Sequence, residues 1–379
     1  MRIAIFCNEY PPRAHGGIGS FSHAYAHGLI RAGHQPTIIE MGEREGIRWD
    51  ERVRIVTLER PSSPRGLGWY RVRRVVADWI DLQFRSREID IAEIPEFEGW
   101  MPFRLRSGKI VVRLHNSQTG MADRSGGGVR YTTRWCERNT LRRHRNWISV
   151  SNFMLRVTSE LFKVQPENAV TIYNPCLPIP SPSESTPGAG PNGGRYVLFV
   201  GAVRLDKGTN TLAQAAQRFL PKYPGLRVIF VGQEHPWGAK SAAESLRDSV
   251  GAELAARLEF VGRQSREDVL AWMRGAAVVA LPSKFESFGM VAVEAMQANA
   301  PLVYTTAGAG PEVVENEVTG LLANPHNPVD LAGQICRLLD DPALARRLCA
   351  NAAAAVGKRF SVEQCVKAST DFYRRVLAQ

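Results

Sequence analysis

Two series of short apolar runs, each stopping at glycine or a small polar residue, constrain this chain more than any other feature. In the second half they are R-Y-V-L-F-V-G (195–201), L-R-V-I-F-V-G (226–232), L-E-F-V-G (258–262), A-A-V-V-A-L (276–281) and P-L-V-Y (301–304). Runs of four to six apolar residues bounded by turn formers read as buried strands, and helical stretches between them make those strands parallel. The first half alternates in the same way. R-I-A-I-F-C (2–7) precedes a helix from about Ser20 to Ala32, then strands at Pro36–Glu40, Val53–Thr57, Ile89–Ile94, Ile110–Leu114, Trp147–Val150 and Val170–Tyr173. The pattern predicts α/β architecture with two doubly wound, Rossmann-like parallel sheets, whose loops line up at the carboxyl ends of the strands.

A chain of 379 residues exceeds one ordinary core. The Pro-, Gly- and Ser-rich stretch 177–194 divides a first domain, 1–176, from a second, 195–358, leaving 359–379 as a final helical segment. No run of about 18 apolar residues is present, which argues against a membrane-spanning helix. The five-residue apolar run after Met1 is too short for an export leader. Six scattered cysteines without a C-x-x-C pair read as reduced thiols, neither a disulfide frame nor a zinc site. A cytoplasmic location follows as an expectation.

The net charge of +11 is uneven: residues 1–185 hold 27 Lys and Arg, 25 of them Arg, against 19 Asp and Glu. Such a half suits an anionic partner or a solvated surface equally well. The stretch 69–82, with Val72, Val75, Val76, Trp79, Ile80 and Leu82 at helical spacing, reads as a packed helix with Arg71, Arg73 and Arg74 in water. Its sharper alternative is contact with anionic lipid, for which the loop Pro61–Trp69 is the more exposed edge. Gln118–Gly128 reads as a glycine-rich loop.

Three stretches carry chemistry. The first is P-P-R-A-H-G-G-I-G (11–19), in which Gly16, Gly17 and Gly19 let backbone approach a ligand. On its own this loop fits a dinucleotide nearly as well as a sugar nucleotide, with Glu40 where a ribose-binding acid would fall. The second is G-A-V-R-L-D-K-G (201–208), which sets Lys207, and Arg204 before it, at a strand end where a cation can neutralise a leaving diphosphate. The third is L-P-S-K-F-E-S-F-G-M-V-A-V-E-A-M (281–296), a strand end, a polar loop and a helix start carrying Glu286 and Glu294. Free amides at a helix start hold phosphate, and a carboxylate accepts from two vicinal hydroxyls at once. Glutamates at a helix start also occur simply because the helix dipole favours them. His115 ends the strand V-V-R-L-H, where an imidazole can orient a hydroxyl.

F-E-S-F-G-M-V-A-V-E-A-M resembles the E-x7-E signature of the family 4 retaining glycosyltransferases, which have the GT-B architecture of two Rossmann-like domains facing across a cleft. The glycine loop is similar to that family's P-P-x-x-G-G-x-G. The resemblance implies that Glu286 contacts the donor sugar, Glu294 the ribose, and the amides of Phe288, Gly289, Met290 and Val291 the diphosphate and sugar. It implies a phosphate role for Lys207 and, more weakly, Arg204, since the family's usual Arg falls on Ala202. It further implies that His115 sits near the reacting sugar and that the last helix returns to the first domain; Arg263, after Gly262, is expected to meet the base through its backbone, and Gly232, at the end of the second strand, to line the donor site. The expected activity is transfer of a hexose from a UDP- or GDP-linked sugar to a glycan, lipid-linked or phosphorylated acceptor, peripherally at the inner membrane face. No cofactor, metal or nucleic acid is expected, there being no D-x-D. The alternatives are a sugar-nucleotide 2-epimerase of the same architecture and a non-enzymatic basic nucleic-acid or membrane binder.

Overall fold

The computed structural model describes residues 1–13, 16–62, 66–177 and 193–379. Contacts divide the chain into two compact units, Met1–Leu177 with Ser361–Gln379, and Pro178–Phe360. The expected linker falls almost wholly on 178–192, outside the described residues, as do 63–65 of the Pro61–Trp69 loop. The second unit extends to Phe360 rather than 358. Helix Pro342–Arg359 runs that far, and the Phe360 ring packs edge-on against Phe288, centroids 5.7 Å apart.

In the first unit, strands β1 (Arg2–Phe6), β2 (Gln35–Gly42), β3 (Gly46–Asp50), β4 (Val53–Glu59), β5 (Ile91–Pro95), β6 (Ile110–Leu114), β7 (Asn146–Ser149) and β8 (Asn168–Thr171) form one sheet in the order β3-β4-β2-β1-β5-β6-β7-β8. Every neighbouring pair is parallel except β3–β4, an antiparallel hairpin. β5 and β6 are buried along their whole length, and the one charged residue in each, Glu93 and Arg113, is buried with them. β3 is the exception to the sequence pattern. It lies in a charged run at the sheet edge and leaves Ile47 and Trp49 58% and 63% exposed.

Two further expectations fail here. Gln118–Gly128 is not a loop throughout: Gln118–Ser125 is a helix, with the Ser117 hydroxyl accepting from the Gly120 N–H and Gly126 ending it at φ +68°. The glycines terminate a helix rather than dissolve one. Arg73, on helix Gly68–Arg85, is not in water either. It is buried, donates to the Gly99, Trp69 and Glu98 carbonyls, and stacks 5.2 Å from the Trp100 ring.

The last helix, Val362–Leu377, packs on the first, Gly17–Arg31. Phe21, Tyr25 and Leu29 meet Val362, Val366, Phe372, Tyr373 and Val376 in one core. Gly28 permits that approach, since a Cβ there would lie 2.3 Å from Val362 Cγ1. Beneath the contact, Arg113 on β6 donates to Glu93 on β5 at 2.7 and 2.9 Å and to Ser369 Oγ at 3.1 Å. The Tyr373 hydroxyl also donates to Glu93 and meets the Tyr25 hydroxyl at 3.0 Å. Arg113 and Glu93 are 1% and 2% exposed.

In the second unit, β9 (Tyr196–Val200), β10 (Arg227–Val231), β11 (Leu258–Gly262), β12 (Val278–Leu281), β13 (Leu302–Thr305) and β14 (Leu321–Ala323) form an all-parallel sheet ordered β11-β10-β9-β12-β13-β14. Numbered within the unit this is 3-2-1-4-5-6, the doubly wound order, so the winding reverses between β9 and β12. Helices Ala242–Val250 and Arg266–Gly275, capped by Ser241 and Ser265, fill the crossovers after β10 and β11 and complete the layers. Both units are thus Rossmann-like parallel sheets. Among the described residues no helix is long and apolar enough to cross a membrane, and all six cysteines are free thiols.

Candidate functional site

Where the winding reverses, the loops leaving β9 and β12 stand side by side, and they carry Lys207 and Glu286. Gly208 explains how closely they approach. It adopts φ +72°, and a Cβ there would lie 1.8 Å from the Pro282 carbonyl oxygen. Glycine after Lys207 therefore lets one loop press on the other. The backbone N–H of Lys284 bonds the Asp206 carbonyl at 2.8 Å, fixing the register. Lys207 Nζ consequently meets Glu286 Oε2 at 3.0 Å, with side chains 32% and 15% exposed. That bond uses one of three ammonium donors, leaving two for an incoming oxyanion. Glu286 is braced from behind: Ala309 N–H donates to its carbonyl at 2.9 Å, and a Cβ on Gly308 (φ +64°) would strike that oxygen at 2.2 Å.

Helix Met290–Gln297 starts after Gly289, at φ +96°, whose missing Cβ makes room for the Tyr304 hydroxyl 1.8 Å from that position. The helix has no side-chain cap, so the first-turn N–H groups of Met290 and Val291 are offered at its dipole-positive end. The Phe288 ring belongs to the core, and its carbonyl accepts from the Tyr304 hydroxyl at 3.4 Å. Glu294, on the second turn, is 19% exposed and lies 3.5 Å from Arg266 Nε. Burial raises its pKa, and Arg266 opposes that rise.

Arg204 departs from the arrangement. Its guanidinium is clamped by Asp206, two bonds of 2.8 and 2.7 Å, so its charge is matched within its own loop. Gly232 (φ +144°) is required by packing, since a Cβ would lie 1.9 Å from the Gly201 carbonyl oxygen. Its N–H bonds the Gly262 carbonyl at 2.9 Å, which ties the strand ends into one rim. Arg263 follows that rim and is exposed. Asp206, Arg266, Tyr304 and Gly308 escaped the sequence reading. For Arg266 no sequence signal exists, because its helix comes from another crossover.

In the first unit the glycine loop, of which residues 14 and 15 lie outside the described residues, runs directly into a helix beginning at Gly17 rather than near Ser20. Gly16 and Gly17 are exposed, Gly19 is buried, and Glu9 Oε2 accepts from Gly16 N–H at 2.9 Å. Glu40 is 1% exposed, paired with Arg13 and Arg48 at 3.1 and 3.2 Å and bonded by Thr57. That engagement removes the ribose-binding acid of the dinucleotide reading.

His115 is half-buried at the end of β6, edge-on to Phe21 at 5.1 Å. Burial, then the neighbouring Arg113, push its imidazole down to about 3, keeping it neutral near pH 7. Its backbone N–H donates to Glu96 Oε2 at 2.8 Å. Burial and the nearby Glu137 raise the Glu96 carboxyl to about 8. Glu137 itself, fully buried, accepts from the N–H groups of Glu98, Gln118 and Thr119, pinning the start of helix Gln118–Ser125 beside His115. The structure brings Lys207, Glu286, Glu294 and the 288–291 amides into one unit, and the glycine loop with His115 into the other.

The chain matches two family models in tandem: "Glycosyltransferase Family 4" over residues 15–176 and "Glycosyl transferases group 1" over 184–355. An uncharacterised glycosyltransferase of Methanocaldococcus jannaschii is 24% identical over 99% of this chain and 98% of its own. A D-inositol 3-phosphate glycosyltransferase of Nocardioides is 31% identical, but over 50% of this chain and 43% of its own length. Among solved structures, the Anabaena protein HepE in complex with UDP and glucose superposes with a TM-score of 0.74 at 20% identity, over 99% of this chain and 100% of that one. At that identity the likeness speaks for the fold. With its family 4 domain followed by a group 1 domain, on two Rossmann-like sheets, the chain is a glycosyltransferase of the GT-B type.

Proposed function

We propose that this chain transfers a hexose, with retention of configuration, from a UDP- or GDP-linked sugar to a glycan, lipid-linked or phosphorylated acceptor in polysaccharide or glycolipid synthesis. The observation that carries the reading is the 3.0 Å meeting of Lys207 and Glu286 at the winding reversal of the second unit, one helix start away from Glu294. A cation, a hydroxyl-accepting carboxylate and open amides within one rim suit a sugar diphosphate. Lys207 takes the diphosphate, Glu286 the sugar hydroxyls and Glu294 the ribose, with Arg266 3.5 Å away as its charge partner. Arg204, held by Asp206, is at most an auxiliary charge, and the diphosphate needs no metal in this scheme. His115 and the loop of Gly16, Gly17 and Gly19 serve the reacting sugar and acceptor. Gly232 and Gly262 shape the rim that receives the base, with Arg263 beside it. The HepE complex with UDP and glucose favours a uridine donor. The Arg-rich first half suits an anionic acceptor or lipid surface at the inner face of a membrane. The family matches do not favour an epimerase.

Calorimetry with UDP, GDP and ADP sugars tests this. Lys207→Ala and Glu294→Ala should each weaken the best donor by about 2–4 kcal/mol, the scale for losing a charged, partly buried hydrogen bond. Unchanged affinity in both variants refutes the assignment. Conversion of donor to an epimer without acceptor would restore the rival.

A further inference from the structure

Helix Gly17–Arg31 and the β3–β4 hairpin of the first unit bring three metal-ligand side chains together. His23 and His27 stand four residues apart, hence on one face of the helix, ring centroids 4.6 Å apart. Asp50, the last residue of β3, reaches both, its Oδ2 lying 2.9 Å from His27 Nε2 and 3.4 Å from His23 Nε2. One ligand atom from each residue lies within 4.8 Å of the other two. We propose that His23, His27 and Asp50 form a binding site for one divalent cation of the zinc class.

The spacing suits such an ion. Metal–ligand bonds of about 2.0–2.2 Å at tetrahedral angles separate neighbouring ligand atoms by roughly 3.3–3.5 Å. The His23–Asp50 edge is already there, and the His27–Asp50 edge opens by about half an ångström from its hydrogen-bonded length. Two imidazoles and one carboxylate favour zinc over magnesium or calcium, which take oxygen ligands. Three protein ligands leave one position for water.

The surroundings support the same geometry. A metal on His27 Nε2 places the ring proton on Nδ1, and Glu51 Oε2 stands 3.6 Å from that atom, within ion-pair reach. The Tyr10 hydroxyl donates to Asp50 Oδ2 at 2.8 Å and orients the carboxylate. The Arg48 guanidinium, 5.9 Å from the Tyr10 ring centroid, already has Glu40 as its counter-ion at 3.2 Å. All three ligand side chains are partly exposed, at 36%, 16% and 30%, so an ion enters from solvent. Bound there, it clamps the exposed edge hairpin to the helix.

The test is zinc titration of the chelator-treated full chain by calorimetry, with bound metal counted after dialysis. One zinc per chain is expected, with affinity falling at least tenfold in His23→Gln and in Asp50→Asn. Affinity should be unchanged in His326→Ala, an exposed histidine of the second unit. Cobalt substitution gives a readout independent of any variant: the spectrum should show nitrogen and oxygen ligation without a thiolate charge-transfer band. No stoichiometric zinc, equal affinity in His23→Gln, or a thiolate band that moves the metal to cysteine would each overturn the proposal.

Discussion

Replacing Arg113 by Met tests the buried network under the last helix, and the expected loss follows from what is left behind. Glu93 would keep only the Tyr373 hydroxyl, at 2% exposure, with no cation. Removing one partner of a buried ion pair costs about 3–5 kcal/mol. A stranded carboxyl limits that cost by taking up a proton. With an ordinary glutamate pKa of about 4.3, staying neutral at pH 7 requires 1.36 kcal/mol per pH unit, roughly 3.7 kcal/mol in all. The same term shrinks to about 1 kcal/mol at pH 5. Arg113→Met should therefore be destabilised strongly at pH 7 and much less at pH 5.

Glu93→Gln should behave differently. It strands a guanidinium that cannot deprotonate, so its loss should be large at both pH values. Part of the support for that guanidinium survives, since it lies 4.7 Å from the Phe21 ring and 5.1 Å from Tyr25. The double replacement should recover most of the Arg113→Met loss. Because the chain has two units, the assay is urea-dependent amide exchange read on peptides from β5 and β6 rather than one global melt. If Arg113→Met lies within 1 kcal/mol of the parent at pH 7, or loses as much at pH 5, the reasoning about a stranded carboxyl is wrong.

Gly208→Ala should lower the melting temperature of the second unit by several degrees and weaken donor binding, because its Cβ meets the Pro282 carbonyl oxygen at 1.8 Å. Gly333→Ala, on helix Pro328–Asp340 with nothing within 4 Å, should instead stabilise by about 0.5–1 kcal/mol; equal effects would refute the packing argument. His115 is held near 3 when folded against about 6.5 unfolded, so protonation favours the unfolded chain and stability falls as pH drops from 6.5 toward 3. His115→Asn should flatten that part of the profile in a pH series of denaturant melts, and an unchanged slope would count against the assignment.

Most strands of the second unit were legible because burial on both faces writes them as short apolar runs, and in β5 and β6 a single charge, Glu93 or Arg113, interrupts the run without hiding it. The pairing of Lys207 with Glu286 was legible only as two motifs, and their contact depends on a strand order that no local stretch records. β3 was missed because an antiparallel edge strand needs no apolar run, and G-I-R-W-D resembles any polar turn. Helix Gln118–Ser125 was missed because glycine count says nothing about whether a glycine sits inside a helix or closes it. The Arg204–Asp206 clamp lies within three residues, and the charge alternation of R-L-D-K was its available signal. Glu96 and Glu137 carried none, since a buried acid and a surface acid look alike in a linear string.

Residues 361–379 belong to the first unit although the whole of 178–360 intervenes in the chain. During synthesis, the face formed by Phe21, Tyr25 and Leu29 must wait for a partner that leaves the ribosome only after the second unit has been made. A chain stopped short of Val362 would leave that apolar face open and would deprive Arg113 of Ser369 and Glu93 of Tyr373.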